Sequence, residues 1–158
     1  MKKIFIFIVF ICLLFLYYNF FYYTSHEPQL ISEIPFGVSI QNDEKIAENF
    51  IYYASRSDYE KLLQAINKGI NIDIPSKYGV TALMTAADDK NYELAKFLLS
   101  HGANVKLRPI NGFTALHRSV SFGPNFPLVK LLIEKGADIN AMNDFGETPL
   151  MFLAEKRF

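Results

Sequence analysis

The chain has 158 residues, 51% of them hydrophobic, and carries no net charge, with 16 basic residues against 16 acidic. That balance excludes the strongly basic surface of a typical nucleic-acid binder. A single cysteine, Cys12, excludes an intramolecular disulfide framework, and the length leaves room for one domain and an appendage.

The appendage stands first. Lys2 and Lys3 precede Ile4 to Tyr23, a run without charge whose one amide is Asn19. Twenty helical residues rise about 30 Å, the hydrocarbon thickness of a bilayer. Tyr17, Tyr18, Tyr22 and Tyr23 crowd one end of the run, where amphipathic rings favour the membrane–water interface. Residues 1–23 are therefore predicted to be a hydrophobic helix that serves as membrane anchor or signal, with Ile4–Tyr23 facing lipid. Two fates stay open. The basic start suits a cleaved signal peptide, but Phe20-Phe-Tyr-Tyr-Thr-Ser-His26 offers no small-residue cleavage site. Val9-Phe-Ile likewise lacks the small residues expected ahead of a lipoprotein Cys12.

If the segment is an uncleaved anchor, its charges orient it. The next basic residue after the span is Lys45, with Glu27 and Glu33 between, so the amino terminus stays cytoplasmic and the rest crosses. Cleavage would instead release a periplasmic or secreted protein. Without Lys2 and Lys3 the remainder carries 14 basic residues against 16 acidic, again unlike a nucleic-acid partner. Richness in Ile, Phe, Lys, Asn and Tyr points to an AT-rich bacterial genome and so to the periplasm. A cysteine-free outer portion suits that oxidising compartment.

Residues 24–42 read as a tether, punctuated by Pro28, Pro35 and Gly37 and without helical or strand period. Fully extended it would reach roughly 65 Å. From residue 43 onward the chain repeats itself. Thr81-Ala-Leu-Met-Thr-Ala-Ala, Thr114-Ala-Leu-His-Arg-Ser-Val and Thr148-Pro-Leu-Met-Phe-Leu-Ala are copies of one phrase, 33 and then 34 residues apart. Gly79, Gly112 and Gly146 keep the same beat, as do Gly69, Gly102 and Gly136. A period of this size signals stacked supersecondary units, here about 43–75, 76–108, 109–142 and a short 143–158.

Each unit is predicted to be two antiparallel helices and a projecting turn. In the first, Ile46, Ala47, Phe50, Ile51 and Ala54 make a helical stripe, and Ser57-Asp-Tyr-Glu60 reads as a capping box opening Leu62 to Ile66. In the second, Thr81 and Asn91 are the caps, Leu83, Ala86 and Ala87 the inner stripe, and Leu94, Ala95, Leu98 and Leu99 the outer one. Gly102 stops the outer helix in the left-handed conformation. In the third, Gly123-Pro-Asn-Phe-Pro127 replaces the usual inter-helix turn and carries the extra residue of the 34-residue spacing. In the fourth, Pro149 takes the first helical position, and Leu150, Met151, Leu153 and Ala154 are expected to be partly uncovered and to fray first.

These residues resemble the ankyrin repeat. The family's signature stands in Gly79-Val-Thr-Ala-Leu to Leu98-Leu-Ser-His-Gly-Ala-Asn104, and again in Gly112-Phe-Thr-Ala-Leu to Leu132-Ile-Glu-Lys-Gly-Ala-Asp138. The resemblance implies an all-α solenoid of residues 43–158 behind the hydrophobic helix. It also implies binding of another protein on the concave side, made of turn tips and inner-helix positions. Carried over position by position, that face takes Tyr78, Val80, Asp88, Asp89, Phe113, Ser121, Phe122, Phe145 and Glu147. Ser55, Arg56, Lys77, Asn111 and Asp144 flank them. Tyr78, Phe113, Phe122 and Phe145 either anchor a partner or pack on the next turn, and Phe113 and Phe122 beside the Gly123 loop favour the first.

Nothing in the chain promises chemistry. His117 fills the histidine slot of the family phrase, where the ring bonds backbone of neighbouring turns. His101 precedes a helix-stopping glycine, where a cation near free carbonyls is favourable, and His26 lies in the tether. No ligand spacing such as His-x-x-x-His or Cys-x-x-Cys exists, so neither metal nor cofactor is expected. Asp88 and Asp89 read as solvated surface, and no nucleophile elbow or phosphate loop appears. No small-molecule substrate is expected. The readings are a membrane-held adaptor or inhibitor of the immunity type, a cleaved periplasmic binder or export helper, and, in another class, a hydrolase with an unrecognised site.

Overall fold

The computed structural model describes residues 40–121 and 123–155. They form seven α-helices, and among the described residues there is no strand. Helix α1 is Ile40–Ser55, α2 Tyr59–Asn67, α3 Ala82–Asp88, α4 Tyr92–Ser100, α5 Ala115–Ser121, α6 Phe126–Glu134 and α7 Pro149–Glu155. A 3-10 turn, Ile110–Gly112, precedes α5. The predicted helix over Ile4–Tyr23 and most of the tether lie outside the described residues. Among those described, no helix is long and apolar enough to cross a membrane.

The helices pair as the period requires. The inner helices stack in order, α1 on α3, α3 on α5 and α5 on α7, while α2, α4 and α6 each back their own partner. Ala47 and Ala54 of α1, Ala82, Ala86 and Ala87 of α3 and Ala115 of α5 are buried. Small side chains there let inner helices approach on both sides, which larger ones would prevent. The outer helices supply the volume: Leu62, Leu94, Leu98, Leu128 and Leu132 have no exposed surface. Burying each such leucine contributes about 1.5–3 kcal/mol.

The caps repeat with the sequence. Asp58, Asn91 and Asn125 each accept a backbone N–H from three residues on, closing the first turn of α2, α4 and α6. Two of them also tie units together. Asn91 Nδ2 donates to Ser57 Oγ at 2.8 Å, and Asn125 Nδ2 donates to the Lys90 carbonyl at 3.0 Å. The predicted capping box therefore does not form, and a single cap stands one residue on, at Asp58. Ser57 sits at φ 53° in the left-handed region, and its hydroxyl serves as acceptor for the next unit's cap. In the third unit Phe126 and Pro127 belong to the first turn of α6, so the loop is shorter than expected. Proline fits there because that turn needs no donor from it.

A second series of Asx turns follows each outer helix. Asn71, Asn104 and Asp138 each accept the N–H two residues on, at 2.9–3.0 Å. Asp73 also reaches across to the Asn104 N–H, at 3.0 and 3.2 Å to its two oxygens. Side-chain acceptors thus satisfy backbone donors at every joint of the stack.

Candidate protein-interaction face

The turns before α3 and α7 are built on one position. Ser76 and Asn143 occupy it in the second and fourth units, and both take the N–H of the residue two on and of the residue four on. Their own N–H donates to Val80 O at 2.8 Å and Glu147 O at 2.9 Å. The third unit has Pro109 at this position, which has neither a side-chain acceptor nor an N–H. Its turn is accordingly different. It winds into the 3-10 segment with Asn111 at φ 65°, and the Asn111 carbonyl accepts from Asp144 N–H of the following turn at 3.1 Å. Gly112 at φ 71° makes this approach possible, since a Cβ there would lie 2.8 Å from Asp144 Oδ1 and 3.0 Å from Asn143 Cα.

On these turns the predicted face residues take different roles. Tyr78 and Phe145 stand at the tips and are 72% and 69% exposed. Lys77 Nζ lies 5.3 Å from the Tyr78 ring centre and donates to Glu48 Oε1 of α1 at 3.1 Å, a bond that raises the Lys77 pKa. Phe113 is half-buried, with its ring 5.7 Å from His117, 5.7 Å from Phe152 and 6.4 Å from Phe145, all edge to face. It ties the third tip to α7. Val80 is half-buried within its turn. Phe122 lies outside the described residues.

The polar members are mostly engaged inside the protein. Asp88, read from the sequence as solvated surface, accepts from Arg118 Nη1 at 2.6 Å and joins α3 to α5. Among the described residues Arg118 Nε is buried without a partner, so that one bond holds the pair. Ser121 donates to the His117 carbonyl at 2.7 Å, and the Glu147 carboxylate accepts from Asn143 Nδ2 at 2.7 Å. Asp89 is exposed; restricted hydration first, and the Asp88 charge second, raise its pKa. Tyr78, Asp89 and Phe145 are therefore the predicted residues presented outward. Arg118 was missed, because its role depends on a carboxylate one unit back, a pairing that only stacking creates.

His117 is fully buried at the joint between the third and fourth units. Its Nδ1 accepts the Thr114 N–H at 3.2 Å, which leaves the proton on Nε2 to donate to Glu147 O at 3.0 Å. Burial lowers its pKa, against the hydrogen bond to Glu147, and the ring is neutral at pH 7. A ring with both nitrogens bound to backbone has none left for a substrate. His101 caps α4, with Nδ1 2.8 Å from Phe97 O. Among the described residues no three His, Cys, Asp or Glu side chains gather to hold a metal ion.

A family model described as Ankyrin repeats (3 copies) matches residues 29–109 and 50–143. The chain is 34% identical over 99 residues to the mouse B-cell lymphoma 3 protein homolog, covering 62% of this chain and 22% of that protein. It is 34% identical over 122 residues to an ankyrin repeat protein of Fowlpox virus, covering 72% and 36%. With an ankyrin repeat protein of Rickettsia bellii it shares 33% over 95 residues, covering 56% and 27%. The chain spans between about a fifth and a little over a third of these relatives' length.

Proposed function

We propose that this chain, which belongs to the ankyrin repeat family, binds another protein through the tips of its turns and the neighbouring inner-helix ends. The family is generally one of interaction modules without chemistry of their own. A stack of units that each touch only their neighbours gives an extended, pre-organised surface, so little ordering entropy opposes association. The observation that carries the proposal is the pair of exposed rings, Tyr78 and Phe145, held out on hydrogen-bonded turns. Rigid aromatic rings of this kind are typical anchors of interface hot spots. Asp89, exposed at the carboxyl end of α3, supplies a charge at the rim.

The apolar run Ile4–Tyr23 supports a further part of the proposal, in which a bilayer holds the module with its repeats on the periplasmic or exoplasmic side. An adaptor or an inhibitor fits such a placement. Crosslinking of the full-length tagged chain in its membranes, followed by mass spectrometry of what is captured, tests both parts. Tyr78→Ala with Phe145→Ala is expected to lose the captured protein while the helical circular dichroism is unchanged. Phe126→Ala, which removes a ring 71% exposed on the outer helix α6, is expected to retain it. Equal capture by all three chains would refute the face. An intact mass short by about 25 residues would replace the anchor with a cleaved signal.

A further inference from the structure

We propose that Asn111–Gly112, at the tip of the third unit's turn, is a self-modification site, where the asparagine amide gives way to a carboxylate with water as co-reactant. It is the only Asn-Gly pair in the chain. Asparagine is thermolabile because its side chain can react with the main-chain nitrogen that follows. Glycine, without a Cβ, leaves that nitrogen unhindered. The step balances without oxidant or cofactor. Gly112 N bonds to Asn111 Cγ, the Cγ–Nδ2 bond breaks, and ammonia leaves with the Gly112 amide proton. Water then opens the cyclic imide at one of its two C–N bonds. Cleavage at Cγ gives aspartate. Cleavage at the main-chain carbonyl leaves Gly112 joined through Cγ, which is isoaspartate.

The fold both selects this asparagine and restrains it. Residue 111 sits at φ 65° and ψ 12°, a left-handed conformation that asparagine accepts more readily than most residues. It is exposed, and the bonds that shape the tip run through its main chain. At this ψ the Gly112 nitrogen is turned away from the Asn111 side chain. Gly112 N–H donates to Pro109 O at 2.9 Å, and Asn111 O accepts from Asp144 N–H at 3.1 Å. These two bonds pin the peptide that must rotate before Gly112 N reaches Cγ. The second of them comes from the fourth unit. Opening of the joint between the third and fourth units therefore gates the conversion.

The product does not fit the closed joint. A carbon added on Gly112 would lie 2.8 Å from Asp144 Oδ1 and 3.0 Å from Asn143 Cα, so the contact has no slack. Isoaspartate lengthens the main chain by one carbon there. Either product also sets a carboxylate beside that of Asp144, and the like charges repel. Conversion thus makes a passing opening permanent. Its place gives it a further consequence. Residue 111 fills the tip slot that holds Tyr78 in the second unit and Phe145 in the fourth, each one residue before the turn glycine. A new charge there falls between the two exposed rings. The chemistry itself does not rest on the reading of those rings as partner anchors.

Prolonged warming of the full-length chain in detergent at neutral pH, followed by fragment mass spectrometry, tests the site. Asn111 is expected to lose its amide ahead of the other asparagines of the repeats, partly as isoaspartate. Phe152→Ala removes the α7 ring that packs 5.7 Å from Phe113. By loosening the joint it is expected to speed conversion about tenfold. Urea below the unfolding transition is expected to speed it in the native chain, and decides the matter if F152A does not fold. Hydrogen exchange of the converted chain is expected to show protection lost within residues 143–155 and kept in α3 and α4. Asn111→Asp adds the charge without the extra carbon and is expected to lose less. An Asn111 that keeps its amide would overturn the site. Conversion at the native rate in both F152A and urea would overturn the gate, and unchanged protection of residues 143–155 after conversion would overturn the loosened joint.

Discussion

Leu83 and Leu150 hold the same place in the repeated phrase, yet one is 3% exposed and the other 69%. The next position repeats the contrast, with Met84 at 1% and Met151 at 50%. The second unit lies between neighbours: α3 packs on α1, α4 and α5. In the fourth, α7 has α5 as its main partner. Burial here is a property of position in the stack, since the side chains are the same. Local stability should follow, highest where both flanks are filled.

The largest expected effect tests that gradient. Leu98→Ala removes a fully buried side chain from α4 and leaves a cavity between packed helices. It is expected to cost about 2–5 kcal/mol in urea unfolding. Leu150→Ala, on the exposed side of α7, is expected to change stability by less than about 0.5 kcal/mol. Equal losses would mean that α7 is covered by something outside the described residues.

The second test compares two glycines of the turn series. Gly112→Ala puts a methyl group within 3.0 Å of backbone in the next turn and forces an L residue to φ 71°. Gly146→Ala meets nothing within 4 Å, although its φ is 78°. Both changes carry left-handed strain of about 1 kcal/mol, and the steric clash adds about 1–3 kcal/mol at Gly112 alone. A difference near zero between the two melts would show that the third and fourth turns slide apart cheaply.

Much of this was legible before any coordinates. Thr81 and Asn91 as caps, the alanine stripe of α3 and the leucines of α4 followed from local chemistry repeated in register. What escaped involved atoms of two units at once. The local pattern makes Ser57 a cap, whereas the stack makes Asp58 the cap and Ser57 the acceptor for Asn91. Local pattern alone leaves Asp88 solvated, because its partner lies thirty residues on. Phe113, Tyr78 and Phe145 are aromatic residues of the same turns, yet Phe113 folds into a ring cluster while the others point out. A repeat announces its period through residues that act within a unit; the residues that set its surface act between units.

The smallest effect concerns such a between-unit bond. Asn91→Ala removes two things at once: the acceptor that caps α4, 3.0 Å from the Leu94 N–H, and the donor to Ser57 Oγ. Loss of an N-cap alone costs about 1 kcal/mol. If the bond between units matters, Asn91→Ala is expected to cost more than the loss of a cap alone. Ser57→Ala added to Asn91→Ala should then cost little more, because the serine hydroxyl already lacks its partner. A double-mutant cycle in urea measures the coupling, expected at about 0.5–1 kcal/mol for one half-buried neutral hydrogen bond. A coupling of zero would make the caps independent and leave side-chain packing as the main tie between the first two units.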